Sequence, residues 1–268
     1  MAQPLYVVDA FSDRCFAGNP AAVVLLDAPR DPAWMQRVAA EMNLSETAFP
    51  VRIADDRYAL RWFTPTNEVP LCGHATLATA AVLLEERVVD SSRVTFETAS
   101  GPLHVERVAP LRFSMSLPAY GSVAVESKAL IDALATTPLA VRVSQNKKLI
   151  VEVASIDEVT KLAPRADALL AADNPHGVVG VVVTSRGDGK PFDFVSRFFA
   201  PWLGILEDPV TGAAHCALGP YWRERLGKST MRAAQRSPRG GELDVDVSDD
   251  RVTLGGACAF VSRGALLA

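Results

Sequence analysis

Three stretches of this sequence carry side chains able to move a proton or hold an anion. Cys72-Gly73-His74-Ala75-Thr76 sets a thiol and an imidazole two positions apart, directly before an Ala- and Leu-rich stretch. Asp208-Pro209-Val210-Thr211-Gly212-Ala213 precedes a second Ala-containing stretch. Glu46 lies in Asn43-Leu44-Ser45-Glu46-Thr47-Ala48-Phe49-Pro50, just ahead of an apolar run. A carboxyl whose pKa is raised toward neutrality by desolvation can both accept and return a proton. The amides that open a helix favour a bound anion, and a glycine lets a ligand approach the backbone closely. Each residue also has an ordinary reading. An acidic residue before a strand usually faces water, an imidazole at a helix start can serve as a cap, and Asp before Pro is a common turn residue.

Two of the stretches are linked by an internal echo. Arg61-Trp62-Phe63-Thr64-Pro65 returns as Arg197-Phe198-Phe199-Ala200-Pro201, and seven positions separate each proline from Cys72 or Asp208. Gly101-Pro102-Leu103-His104-Val105 is echoed by Gly241-Glu242-Leu243-Asp244-Val245, and Arg112 to Met115 loosely by Arg251 to Leu254. A repeat spanning half the chain is far longer than a solenoid period, so it predicts a duplicated domain. The expectation is two lobes with one site between them, in which two helix starts present amides to a small carboxylate.

The elements that must position these residues are legible in outline. Leu5 to Phe11 and Ala21 to Leu26 read as strands around the turn Phe16-Ala17-Gly18-Asn19-Pro20. Asp31-Pro32 opens a helix with Trp34, Val38 and Met42 on one face. Tyr58 to Phe63 is a strand, followed by a loop and a helix from about His74 to Glu86 that is apolar nearly all round and therefore buried. Strands follow at Arg93 to Phe96, Leu103 to Arg107 and Leu111 to Leu117, and Pro118 to Gly121 marks a lobe boundary. Beyond it come helices at Ser127 to Leu134 and Ile156 to Leu162, and strands at Leu149 to Val153, Val178 to Thr184 and Phe192 to Phe199. A second buried helix runs from about Ala213 to Leu226. The lobes are thus residues 1–117 and 118–257.

Composition narrows the function classes. The 268 residues are enough for one large domain or two of about 130. Hydrophobic residues make up 49% and charged residues 22%, with a net charge of −4 and no basic stripe, so no nucleic-acid partner is expected. No apolar run is long enough to span a bilayer, and Met1 to Tyr6 lacks the features of a signal peptide. Four scattered cysteines without a CxxC pair predict neither zinc ribbon nor disulfide framework, and the default location is cytoplasmic. Cys15, Cys216 and Cys258 are expected to be buried small apolar groups, and His104, His176 and His215 surface or satisfied polar residues.

The set Asp9-Ala10-Phe11, Phe16 to Pro20, Asn43 to Phe49, Arg61 to Pro65, Cys72 to Thr76 and Asp208 to Gly212 resembles the PhzF-like (phenazine biosynthesis) isomerase family, within the diaminopimelate epimerase and proline racemase fold group. The resemblance implies an α+β fold of two pseudo-symmetric lobes, each a mostly antiparallel sheet wrapped around a central helix, with a C-terminal strand of about 258–268 returning to the first lobe. It implies a homodimer, no organic cofactor and no metal. It also implies that Glu46 shuttles a proton between carbons of a small, carboxylate-bearing, amino acid-like substrate, with His74 and Asp208 completing the catalytic set. Gly73, Gly212, Ala213 and Cys72 are then substrate-binding, and Ala213 stands where members of the phenazine pathway commonly have serine.

Two alternatives follow from the same residues. Racemases of the fold group use two cysteines, because proton transfer on opposite faces needs two bases; Cys72 matches one, and a helix start could lower its pKa. The echo places Asp208 at the second position, which ranks this mechanism below one-base isomerisation. The other alternative is a catalytically silent small-molecule binding protein. A Ser45-His74-Asp208 hydrolase lacks the GxSxG elbow, and Glu46, His74 and Asp208 match no metal-binding spacing.

Overall fold

The computed structural model describes residues 2–268 as a strand-dominated α+β protein in two compact units. The first extends to Ser116 and takes in Leu254–Ala268; the second is Leu117–Thr253. No helix among the described residues is long and apolar enough to cross a membrane.

In the first unit the chain forms β1 (Gln3–Ala10), β2 (Asn19–Val24), α1 (Pro32–Met42), β3 (Glu46–Ala54), β4 (Arg57–Phe63), β5 (Glu68–Val69), α2 (Gly73–Glu85), β6 (Arg93–Glu97), β7 (Leu103–Ala109) and β8 (Arg112–Pro118). The second adds β9 (Ser122–Ala124), α3 (Lys128–Leu134), β10 (Ala140–Ser144), β11 (Lys148–Glu152), α4 (Ile156–Lys161), α5 (Ala166–Ala171), β12 (Gly180–Arg186), β13 (Phe194–Ala200), β14 (Ile205–Asp208), α6 (Gly212–Leu226), β15 (Thr230–Gln235) and β16 (Gly241–Val247). Strand β17 (Arg251–Leu266) starts in the second unit and ends paired antiparallel with β1 in the first, from Ala10↔Cys258 to Gln3↔Leu266.

Parallel pairs explain where the helices lie. A parallel pair needs a crossover long enough to return the chain, usually a helix. β2 and β3 are parallel and joined by α1; β4 and β6 are parallel and joined through β5 and α2. In the second unit β11 and β12 are parallel across α4 and α5, and β13 and β15 across β14 and α6.

Asp31 caps α1, its Oδ1 accepting from Ala33 N at 2.9 Å, and Asn43 ends it in the left-handed region at φ 49°. Its buried face is Met35, Val38 and Ala39, packed with Val24, Phe49 and Phe63. Trp34 and Met42 only flank that face, so the expected stripe is rotated toward Met35; Trp34 meets Phe49 edge-on beneath Arg30.

Every residue of α2 from His74 to Leu84 is buried, and the helix packs against β1, β2, β3, β6 and β7. Its two threonines return their hydroxyls to its own carbonyls, Thr76 to Cys72 at 2.6 Å and Thr79 to Ala75 at 2.7 Å, so no polar group is orphaned by that burial. Pro220 lies inside α6 and has no N–H to offer the Cys216 carbonyl. Tyr120 N donates to that carbonyl instead, at 2.9 Å.

The arginines of the echoed blocks play related local roles. Arg61 makes two 2.7 Å hydrogen bonds to Glu68, pinning β5 to β4. Arg197 grips Glu207 at 2.7 and 2.8 Å across β13 and β14, and its Nη1 also donates to the Thr160 and Leu162 carbonyls at the end of α4.

Candidate active site

Three chain segments bring polar side chains together in the first unit. Glu46 is the first residue of β3, Asn19 the first of β2, and His74 the second of α2. Because β2 and β3 are parallel, with Ala21 opposite Glu46, their N-terminal ends share one edge. The turn before β2 is tightly determined. Asp9, buried, accepts from Phe16 N at 2.7 Å, and Gly18 has φ +70° with no room for a side chain, since a Cβ would lie 2.2 Å from the Ala10 carbonyl oxygen. That turn delivers Asn19 to His74.

Glu46 Oε2 lies 3.0 Å from His74 Nε2, with side-chain exposures of 17% and 6%. The same carboxylate oxygen is buried without a hydrogen-bond donor, so the pair is held by charge, with the N–H off axis. On the other side of the ring, Asn19 Nδ2 stands 3.2 Å and Cys72 Sγ 3.5 Å from Nδ1. Burial works against a charge on His74, but the Glu46 carboxylate and the contact with Cys72 Sγ at 3.5 Å outweigh it and hold the imidazole well above its usual pKa, the carboxylate being the charge that acts while Cys72 keeps its proton.

Cys72 is the N-cap of α2 and its side chain makes no capping bond. Its thiol is pushed up to about 11 by burial and by the Glu46 charge, against the expectation that a helix start lowers it. At neutral pH it is therefore a thiol. The donor atoms of Glu46, Cys72 and His74 all lie within 4.8 Å of one another, a thiol–imidazole–carboxylate set of the types zinc accepts. A metal there would have to displace the thiol proton.

The second unit holds the other predicted residues. Asp208 ends β14, and its Oδ2 accepts from Thr211 Oγ1 at 2.6 Å. Gln235 fixes the turn, taking Thr211 N on Oε1 at 2.9 Å and donating Nε2 to the Asp208 carbonyl at 2.7 Å. Gly212 and Ala213 are the first two residues of α6, and Asn146 Nδ2 donates to the Ala213 carbonyl at 2.8 Å. Thr211 is the N-cap of α6 as Cys72 is of α2, each followed by glycine. Counted from the helix start rather than from the proline, the counterpart of Cys72 is thus Thr211, a hydroxyl, and Asp208 lies one turn upstream.

Other expectations are corrected. His215 is fully buried, with Nδ1 donating to the Thr211 carbonyl at 2.8 Å, Nε2 unpartnered, and its pKa pushed down to about 4 by burial. Cys15 is exposed. Asn19 and Lys148 were not singled out by the sequence reading. Asn19 was visible in its Gly-Asn-Pro turn, whereas nothing local marks a buried lysine.

A buried imidazole lies between carboxylate, amide and thiol in a strand-dominated α+β fold, a set of groups able to take up and return a proton. The fold alone is shared with a probable proline racemase from Agrobacterium radiobacter, at TM-score 0.67 and 12% identity over 98% of this chain and 92% of that one. Residues 8–264 match the family described as phenazine biosynthesis-like proteins. An uncharacterized isomerase from Halalkalibacterium halodurans is 45% identical over 100% of this chain and 99% of its own. The crystal structure of a PhzF-family phenazine biosynthesis protein from Enterococcus faecalis superimposes at TM-score 0.92 with 41% identity, covering both chains completely. The chain belongs to the phenazine biosynthesis-like family and is an isomerase.

Proposed function

We propose that the protein moves a proton between two carbons of a small, carboxylate-bearing, amino acid-like substrate, with Glu46 as the single acid and base. The observation that carries this reading is the Glu46 carboxylate oxygen that faces the His74 ring at 3.0 Å yet accepts no hydrogen bond. That buried oxygen fixes the carboxyl against a cation, and the 17% of the side chain that stays exposed is what a substrate can reach. In the first half-reaction the C–H bond breaks, the proton passes to Glu46, and the electron pair spreads into the conjugated system that carries the substrate carboxylate. In the second, Glu46 returns the proton at the other carbon, so no oxidant or reductant is required. His74 stabilises the carboxylate form and orients it, while Asn19 holds the ring. Asp208, with Gly212 and Ala213 at the start of α6, is assigned to substrate binding, as are Gly73 and Cys72 at the start of α2. The recurrence of an Arg-x-Phe strand followed by a crossover helix with a Gly first residue supports the reading of two duplicated lobes.

The two-base racemase is disfavoured by the threonine at the second cap, where a second thiol would be required. Incubation with candidate amino acid-like acids in deuterated water distinguishes the readings. The isomerase incorporates deuterium at carbon, Glu46→Gln abolishes it and Cys72→Ser keeps it. Loss with Cys72→Ser alone favours the racemase, and saturable binding without exchange favours a binding protein.

A further inference from the structure

A second charged group lies buried in the second unit. Strand β11 alternates: Leu149 and Val151 join the core with Val181, Val183 and Phe199, so Lys148, Ile150 and Glu152 face the other side. That side is the one α6 covers, because Glu152 accepts from the Tyr221 hydroxyl and pairs with Arg225 at 2.6 Å. Four residues back along the strand is about 13 Å, and the eight residues from Tyr221 back to Ala213 span about 12 Å of helix. Lys148 therefore lies beside the first turn of α6, close to where Asn146 holds the Ala213 carbonyl.

Lys148 is only 7% exposed. Its Nζ sits 5.2 Å from the centre of the Phe198 ring and, among the described residues, has neither a carboxylate within ion-pair distance nor a hydrogen-bond acceptor. Phe198 is directly opposite Asp208 in the β13–β14 register, which puts both side chains on one face. The ring has a dedicated space, since a Cβ on Gly180, the β12 partner of Lys148, would stand 2.3 Å from it. Burial pulls the ammonium down from 10.5 to about 8, and Asp208 is the charged group that opposes this. Glu152 is committed to Tyr221 and Arg225. An ammonium buried without a partner is costly unless something else supplies the counter-charge.

We propose that Lys148 is the anion-recognition residue of the second unit, binding a substrate carboxylate together with the first-turn amides of α6, while Asp208 beside it takes the substrate's amino or hydroxyl donor. This rests on the isomerase reading for the identity of the ligand as substrate, but the site itself can be tested without turnover. Protein carrying 13Cε-lysine is titrated with acetate at neutral pH, the Lys148 signal being identified by its loss in Lys148→Arg. Acetate is expected to shift that signal saturably and to raise the Lys148 pKa, leaving the exposed Lys128 and Lys161 signals unmoved. Lys148→Met weakens acetate binding, followed by calorimetry, roughly ten- to a hundredfold, whereas Lys148→Arg retains most of it. A Lys148 response no larger than that of Lys128 and Lys161 overturns the proposal, as does wild-type affinity in Lys148→Met. Failure of this test with deuterium exchange intact sinks the lysine assignment alone; acetate bound as expected with no exchange on any candidate sinks the isomerase reading alone.

Discussion

At the scale of single residues, two buried cations have opposite relations to stability. His74 is raised above its ordinary 6.5 by the Glu46 carboxylate and the contact with Cys72, in spite of burial. A raised pKa means the folded state binds more protons, so the stability it contributes is present below 6.5 and is lost as pH rises through the folded value. The stability difference between wild type and His74→Gln, followed by denaturant titration, should shrink with rising pH above neutrality. Lys148 is lowered from 10.5 to about 8, so the unfolded state binds the extra proton. Its cost is present in full below 8, fades between 8 and 10.5, and is gone above. Lys148→Met should therefore be more stable than wild type at neutral pH, by about 3 kcal/mol at the upper limit, with the gap closing as pH rises toward 10.5. Equal stability across that range would show that the ammonium is not desolvated. A residue kept at a cost to stability beside a helix start is what an anion site looks like before its ligand arrives.

At the scale of elements, the two echoed arginines allow a sharper test of what each strand pair needs. The Arg61–Glu68 pair is well exposed, with side-chain exposures of 39% and 42%, and its loss in Arg61→Met should cost under about 1 kcal/mol. Arg197 is buried, doubly bonded to Glu207, and gathers the last carbonyls of α4. Arg197→Met leaves Glu207 and those carbonyls unpaired and should cost about 3–5 kcal/mol, read as a drop in thermal midpoint several times that of Arg61→Met. Gly18 is a third such element, because alanine there meets the Ala10 carbonyl at a left-handed backbone. Gly18→Ala should destabilise by a few kcal/mol and, because the turn places Asn19, should lower turnover in the surviving folded fraction; unchanged turnover would detach Asn19 from the site.

Much of this was legible in the sequence, and for physical reasons. The strands from β1 to β8, apart from the two-residue β5 that falls in the expected loop, are bounded by turns with strong chemistry, and α2 is apolar all round, so composition and period identify them. β9, β10, α5, β14 and β15 were missed because they are short or carry few β-branched residues, their pairing being fixed by neighbours distant in sequence. Of the site, Glu46 and His74 were found through motifs, and the structure brings them together. Lys148 and the matching of Cys72 with Thr211 were not legible, since burial of a lysine and the position of a helix cap are set by the fold.

At the scale of the whole molecule, two strand-rich units are each built on a helix whose first residue is glycine, and each carries one unusual charge next to that helix start: a carboxylate–imidazole pair in one and, in the other, a buried ammonium over the Phe198 ring. The first suits moving a proton and the second holding an anion. The central claim is that the proton travels on Glu46. Its most direct test is deuterium incorporation at carbon, by mass spectrometry, for wild type, Glu46→Gln and Cys72→Ser with an amino acid-like acid that the wild type exchanges. The expected result is exchange in wild type and Cys72→Ser, with a loss of about 100-fold or more in Glu46→Gln. Exchange that survives in Glu46→Gln and disappears in Cys72→Ser would contradict it.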